Sequence, residues 1–221
     1  MELFLKILVI IHVIAGTCAL IFGGIAFGLR KNTPNHKPIG RIYFWCMTVV
    51  FITAMIVSVA KSLLFLFLIG VFTYYSTIIA YRSLRLKNLH EGQKPLKIDW
   101  IIEIIAGLTF LGMITLGILI FMKHGGFGWL VPTIFGAFGL LSVKRNITLL
   151  YKGPTQTLYW LKKHIGHMMG SYIGAFTAFL VNQTPHLPFI NPTLLWFLPM
   201  LIIMPVMIME MKKLKTQPIN K

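Results

Sequence analysis

The chain has 221 residues, of which 57% are apolar and only 12% charged, and its mean hydropathy is +0.79. A soluble domain carries about 25% charged residues and cannot bury so much apolar surface, which excludes a water-soluble globular protein. Five acids against 21 Lys and Arg leave a net charge of +16, which in a soluble protein would suggest nucleic acid; in a membrane protein basic loops have another cause, namely orientation.

Taken in chain order, the apolar runs predict seven transmembrane helices near 4–28, 42–60, 62–81, 99–122, 127–143, 164–183 and 188–211. Each reaches the length of about 20 residues that crosses about 30 Å of hydrocarbon, the fifth only just. The expectation is an all-α polytopic helical bundle, one transmembrane domain over 1–221, in the cell membrane with the lipid bilayer as its main partner. Lys6, Lys61 and Lys123 fall at one end of the spans. Arg30, Lys31, Lys37 and Arg41, then Arg82 to Lys97, then Lys144 to Lys163, then the tail fall at the other. Basic residues mark the cytoplasmic side, so the N-terminus is expected outside and the C-terminus inside, and nucleic acid is not needed to explain the charge.

The first run is about twice as long as a signal-peptide core and shows no small-residue cleavage pattern before Arg30-Lys31, so it reads as a retained span. Cys18 and Cys46 match no metal or redox spacing and read as packing residues. Aromatic residues at span ends, Tyr43-Phe44-Trp45, Trp100, Trp129 and Tyr159-Trp160, read as interfacial anchors. Spans two and three are joined almost directly at Lys61-Ser62, which predicts a tight antiparallel hairpin. Residues 146–163 mix Leu, Tyr and Trp with Lys around Gly153-Pro154 and read as a segment lying on the headgroups; within it, the glycosylation pattern at Asn146 is on the wrong side and reads as chance.

Polar residues inside apolar spans are the places to look for chemistry. On a helical wheel His12, Gly16, Ala19, Gly23 and Ala26 share one narrow arc, so His12 faces a neighbouring helix; it is either a hydrogen-bonded helix contact or a ligand or proton-handling group. In the sixth span His164, His167, Ser171, Thr177 and Asn182 share an arc with Gly166, Gly170 and Gly174, opposite Ile165, Met168, Met169, Tyr172, Ile173, Phe176 and Phe179. The repeat Gly166-x3-Gly170-x3-Gly174-x3-Ala178 predicts close helix packing, with the large residues turned to lipid. His164 and His167 are three apart, so both imidazoles can approach one site. His36 lies in the basic loop on the same side; it joins them or merely binds headgroups. Glu103, just after Asp99, either snorkels to the interface or joins the same inner cluster, while His90, His124 and His186 are loop residues. No Walker loop, dinucleotide fingerprint, HExxH helix or serine elbow is present.

The motifs His12-x3-Gly16-x2-Ala19-Leu20, Arg30-Lys31, His36-x3-Gly40-Arg41-x-Tyr43 and His164-x3-Met168-x-Gly170-Ser171-Tyr172-Ile173 resemble the bacterial multi-pass membrane proteins grouped as domain of unknown function 2306. The resemblance covers most of the chain, with little of it in residues 84–160. It implies a bacterial membrane protein in which His12, His36 and His164 matter together, and it supplies no reaction.

Three function classes follow. The first is a cofactor, haem b or a transition metal, held by histidines among His12, His36, His164 and His167, with electron transfer as its role and His36, His164 and His167 as the metal set. His12 and His167 differ in depth by roughly 15–20 Å from the helical rise, so they cannot both be axial ligands of one haem. The second is a small-solute or proton transporter or channel. The third is a membrane-embedded metal hydrolase with Glu103 or Asp99 as base.

Overall fold

The structure, a computed structural model, describes residues 2–29, 34–125, 128–187 and 189–214. Among them the chain forms seven α-helices and no strand: α1 Glu2–Gly28, α2 His36–Ala60, α3 Leu64–Ser83, α4 Lys97–His124, α5 Leu130–Lys152, α6 Tyr159–Asn182 and α7 Pro192–Lys213, with single 3-10 turns at Leu89–Glu91 and Thr184–His186. Four of them, α1, α2, α4 and α7 from Leu194, are long and apolar enough to cross a membrane. The helical form follows from the solvent, because a lipid-exposed backbone must satisfy its N–H and C=O groups within the segment. Apolar side chains on these helices face outward: Leu108 of α4 is 67% exposed and Ile14 of α1 59%. Exposed apolar surface on this scale marks association with a lipid bilayer.

The other three helices carry more polar residues: Thr73 to Thr77 in α3, Lys144-Arg145-Asn146 in α5, and His164, His167, Ser171 and Tyr172 in α6. Helix and apolar run also have different ends. α2 starts at His36, six residues before the apolar run; α5 continues to Lys152 and α6 begins at Tyr159, so most of the 146–163 segment is helix. Lys and Arg are good helix formers, and a helix continues through them after the apolar run has stopped. The break is confined to the stretch between Gly153, at φ 73°, and Leu158, at φ 56°.

The chain folds as two compact units: one of α1, α2, α3, α7 and α6 from Ile165, the other of Arg82–His164. In the first, α1 and α2 pair antiparallel, with His12 beside Thr53, Gly16 beside Val50 and Gly23 beside Tyr43. α2 turns into α3 through Lys61, Ser62 and Leu63, where the Leu63 N–H closes the turn on the Ser58 carbonyl at 2.8 Å. α6 packs on two sides. Met168, Tyr172 and Ala175 meet the buried Ala19, Tyr43 and Met47 of α1 and α2, and Ser171 and Gly174 meet Thr77 and Thr73 of α3. Its large residues are therefore not all turned to lipid: Ile165 and Met169 are buried. The wheel separates small from large side chains, whereas a helix with neighbours on two sides buries both kinds.

The glycines of that repeat differ among themselves. A Cβ at Gly174 would meet Thr73 at 2.7 Å and one at Gly166 the flexible end of Met211, whereas Gly170 has open space. On α1, a Cβ at Gly23 would strike the rings of Tyr172 and Tyr43, and one at Gly16 would be in ordinary contact with Val50.

In the second unit α4 and α5 pair antiparallel. Gly117 lies against Thr133, the Phe110 ring fills the space left by Gly139, Gly136 lies against Ile114 and the Phe110 carbonyl, and Gly107 faces Val143. Phe110 is fully buried there. One more turn in this register brings Asn146 of α5 opposite Glu103 of α4, and both are buried.

Candidate functional site: a buried charge cluster

The start of α4 carries two of the five acids in the chain, Asp99 and Glu103. Their i, i+4 spacing puts both on one helix face, and that face is turned inward: Asp99 is 3% exposed and Glu103 1%. Asp99 accepts the Leu96 N–H at 2.8 Å, a carboxylate at a helix N-terminus where the free N–H groups and the helix dipole favour it. The same carboxylate accepts two parallel bonds from Arg82, Nε to Oδ1 at 2.6 Å and Nη2 to Oδ2 at 2.9 Å. This fork geometry fixes both side chains.

Lys163 completes the cluster from the first turns of α6. Glu103 and then Asp99 are the negative charges that act on its ammonium, but burial outweighs them and the Lys163 pKa falls to about 8. A lysine brought that far toward neutrality beside a buried carboxylate is a group that can exchange a proton at physiological pH. The cluster holds two cations and two anions, so it is neutral as a whole.

The surroundings fix Lys163 in place. The Tyr159 hydroxyl donates to the Leu86 carbonyl and accepts the Leu89 N–H at 3.1 Å. Leu86, Leu89 and Leu150 form a small core with Trp100, Leu149 and Tyr159, and the Lys87 ammonium stands 4.4 Å over the Trp160 ring. These contacts anchor the start of α6 to the α3–α4 connection.

The histidines are distributed differently. His12 Nδ1 lies 3.0 Å from Thr53 Oγ1, and the Thr53 hydroxyl is also 2.8 Å from the Val49 carbonyl. If that hydroxyl donates to Val49, its lone pair receives the Nδ1 proton, so His12 acts as a helix-to-helix hydrogen bond. His167 meets the Tyr75 ring edge-on at 6.3 Å. His36 and His167 belong to the first unit and His164 to the second. Among the described residues no group of three or more His, Cys, Asp or Glu side chains is placed to hold a metal ion. His90 lies 3.4 Å from the Glu91 carboxylate, in a loop.

The first unit also holds a line of buried hydroxyls. Tyr43 Oη is 2.8 Å from Ser171 Oγ, Ser171 Oγ is 2.6 Å from Thr77 Oγ1, and Thr77 donates to the Thr73 carbonyl at 3.1 Å. One direction satisfies every member: Tyr43 donates to Ser171, Ser171 to Thr77, and Thr77 to the backbone. A line that ends on a carbonyl fastens α2, α6 and α3 together; it is polar glue.

Sequence reasoning locates Glu103 and Asp99 but misses their partners. Arg82 and Lys163 each have an explanation as cytoplasmic-loop charges, and the sequence sends Glu103 either to water or to the histidines; it does not reach water. The available signal is the i, i+4 spacing of two acids in a chain that has only five. Comparison with protein-family models, with curated proteins and with solved structures finds no match.

Proposed function

We propose that this chain is a seven-span membrane protein, N-terminus outside and C-terminus cytoplasmic, that moves protons, alone or linked to a small solute, with Glu103 and Lys163 as the exchanging pair. The observation that carries this reading is Glu103: a carboxylate 1% exposed, on a helix apolar enough to cross a membrane, with a lysine as its charge partner. Ionisable groups in such places are costly and are characteristic of proton and ion pathways. The pair has two states of equal total charge, carboxylate with ammonium and carboxyl with amine. A proton can therefore pass between Glu103 and Lys163 without creating net buried charge. Arg82 and Asp99, locked by two bonds, serve as the fixed partners of this exchange. The likeness to the domain of unknown function 2306 proteins fits a multi-pass bacterial membrane protein and adds no reaction.

The test is proton flux into liposomes that contain the purified chain and a trapped pH dye, driven by a potassium diffusion potential. Wild type should acidify the lumen faster than empty liposomes, and Glu103→Gln should fall to the empty-liposome rate. Wild-type flux equal to that of empty liposomes would overturn the proton reading. Stoichiometric haem or metal in the same sample would favour the histidine-held cofactor instead.

A further inference from the structure

The outer face of α5 changes character along its length. At about 100° per residue Ile134, Phe138, Leu141, Arg145, Thr148 and Lys152 fall within one arc of roughly 80°, and all of them are exposed, Phe138 by 64%. The opposite face, with Gly136, Gly139, Val143 and Asn146, is buried against α4. The exposed stripe is apolar as far as Leu141 and turns basic at Arg145, with Lys144 exposed at its edge.

Lys152 stands in the last turn of α5, where the helix dipole favours a cation. Arg145 lies two turns earlier and has no such support. Because Gly107 faces Val143, Arg145 is level with Ile105 of α4, and Ile104 and Ile105 are themselves exposed. From that level α4 extends back to Lys97, about 12 Å at 1.5 Å per residue. Arg145 therefore stands beside lipid-facing isoleucines, short of the end of the apolar belt.

The acids of the chain are engaged elsewhere. Asp99 is held by Arg82, Glu103 acts on Lys163, Glu91 lies beside His90 and Glu210 beside Lys213, while Glu2 opens α1. Among the described residues neither Lys144 nor Arg145 makes an ion pair. The Thr148 hydroxyl donates to the Lys144 carbonyl at 2.8 Å, which leaves the two cations to meet an anion from outside. A cation among apolar side chains is costly until an anion offsets it.

We propose that the outer face of α5 binds one anionic phospholipid, its phosphate on Lys144 and Arg145 and an acyl chain along Leu141, Phe138 and Ile134. A guanidinium can take two phosphate oxygens through parallel N–H bonds. From Arg145 to Ile134 the stripe is about 16 Å long, the depth of one leaflet in a hydrocarbon layer about 30 Å thick. The apolar half selects a lipid over a soluble anion, because a free phosphate would match Arg145 and leave Phe138 uncovered.

The experiment is native mass spectrometry of the full chain, released from detergent micelles that contain equal amounts of phosphatidylglycerol and phosphatidylcholine. Wild type should retain one phosphatidylglycerol in preference to phosphatidylcholine. The double variant Lys144→Gln, Arg145→Gln should lose that preference by roughly tenfold or more. Lys94→Gln with Lys123→Gln, which removes the same charge elsewhere, should keep it. Excess glycerol 3-phosphate, a phosphate without acyl chains, should leave the bound lipid in place. Equal retention of the two lipids by wild type, equal losses in the two double variants, or displacement by glycerol 3-phosphate would overturn the proposal.

Discussion

Arg82 holds Asp99 through two parallel hydrogen bonds of 2.6 and 2.9 Å, while the same carboxylate accepts the Leu96 N–H. Removing one partner leaves the other charged and buried, and this is the costly way to break such a pair, typically about 3–5 kcal/mol. Asp99→Asn should therefore lower the melting temperature in detergent markedly. Arg82→Lys, which keeps the charge but loses the fork, should fall between wild type and Asp99→Asn. Equal melting temperatures for all three proteins would show that the pair is incidental to folding.

The glycines separate by what surrounds them. A Cβ at Gly23 would lie 2.7 to 2.9 Å from ring atoms of Tyr172 and Tyr43, which are held from both sides, whereas Gly170 has nothing within 4 Å. Gly23→Ala should cost about 1–3 kcal/mol through overpacking. Gly170→Ala should be neutral or gain about 0.4–1 kcal/mol by restricting the unfolded chain. Thermal melts of the two variants in the same detergent decide this, and the reverse order would mean that α6 is turned differently.

Much of the architecture can be read from the sequence, because apolar runs and breaker residues report directly on which segments become helices. His12 facing a neighbouring helix follows from the small-residue arc that surrounds it. The interior of the charge cluster is harder to read. Arg82 and Lys163 are 81 residues apart, and no periodicity links the α3–α4 connection to the start of α6. That both reach the face of Asp99 and Glu103 depends on tertiary packing, of Tyr159 on Leu86 and Leu89 among others. Gly170 shows the converse: small-xxx-small spacing selects a helix face, but the neighbour's side chains decide which of its glycines is crowded.

Lys163 gives a pH dependence with a definite sign. Burial lowers its folded pKa from 10.5 to about 8, so between these values the unfolded chain binds more protons at this position than the folded one. Its contribution to stability therefore rises with pH through that window, and below about pH 8 its full penalty is present. The difference in melting temperature between Lys163→Met and wild type should be largest at pH 7 and shrink by pH 10. A difference that stays constant from pH 7 to pH 10 would show that Lys163 is as well solvated as a surface lysine.

Proton movement by this chain requires that Glu103 take up and release a proton inside the protein. Infrared difference spectroscopy of the chain in lipid, recorded as the pH is stepped, reads this directly through the carbonyl stretch of a protonated carboxyl group. A band from a buried carboxyl that grows as the pH falls, and that is absent in Glu103→Gln but retained in Glu210→Gln, is the result expected. A wild-type spectrum whose carboxyl band is unchanged by Glu103→Gln at every pH would contradict proton exchange at Glu103.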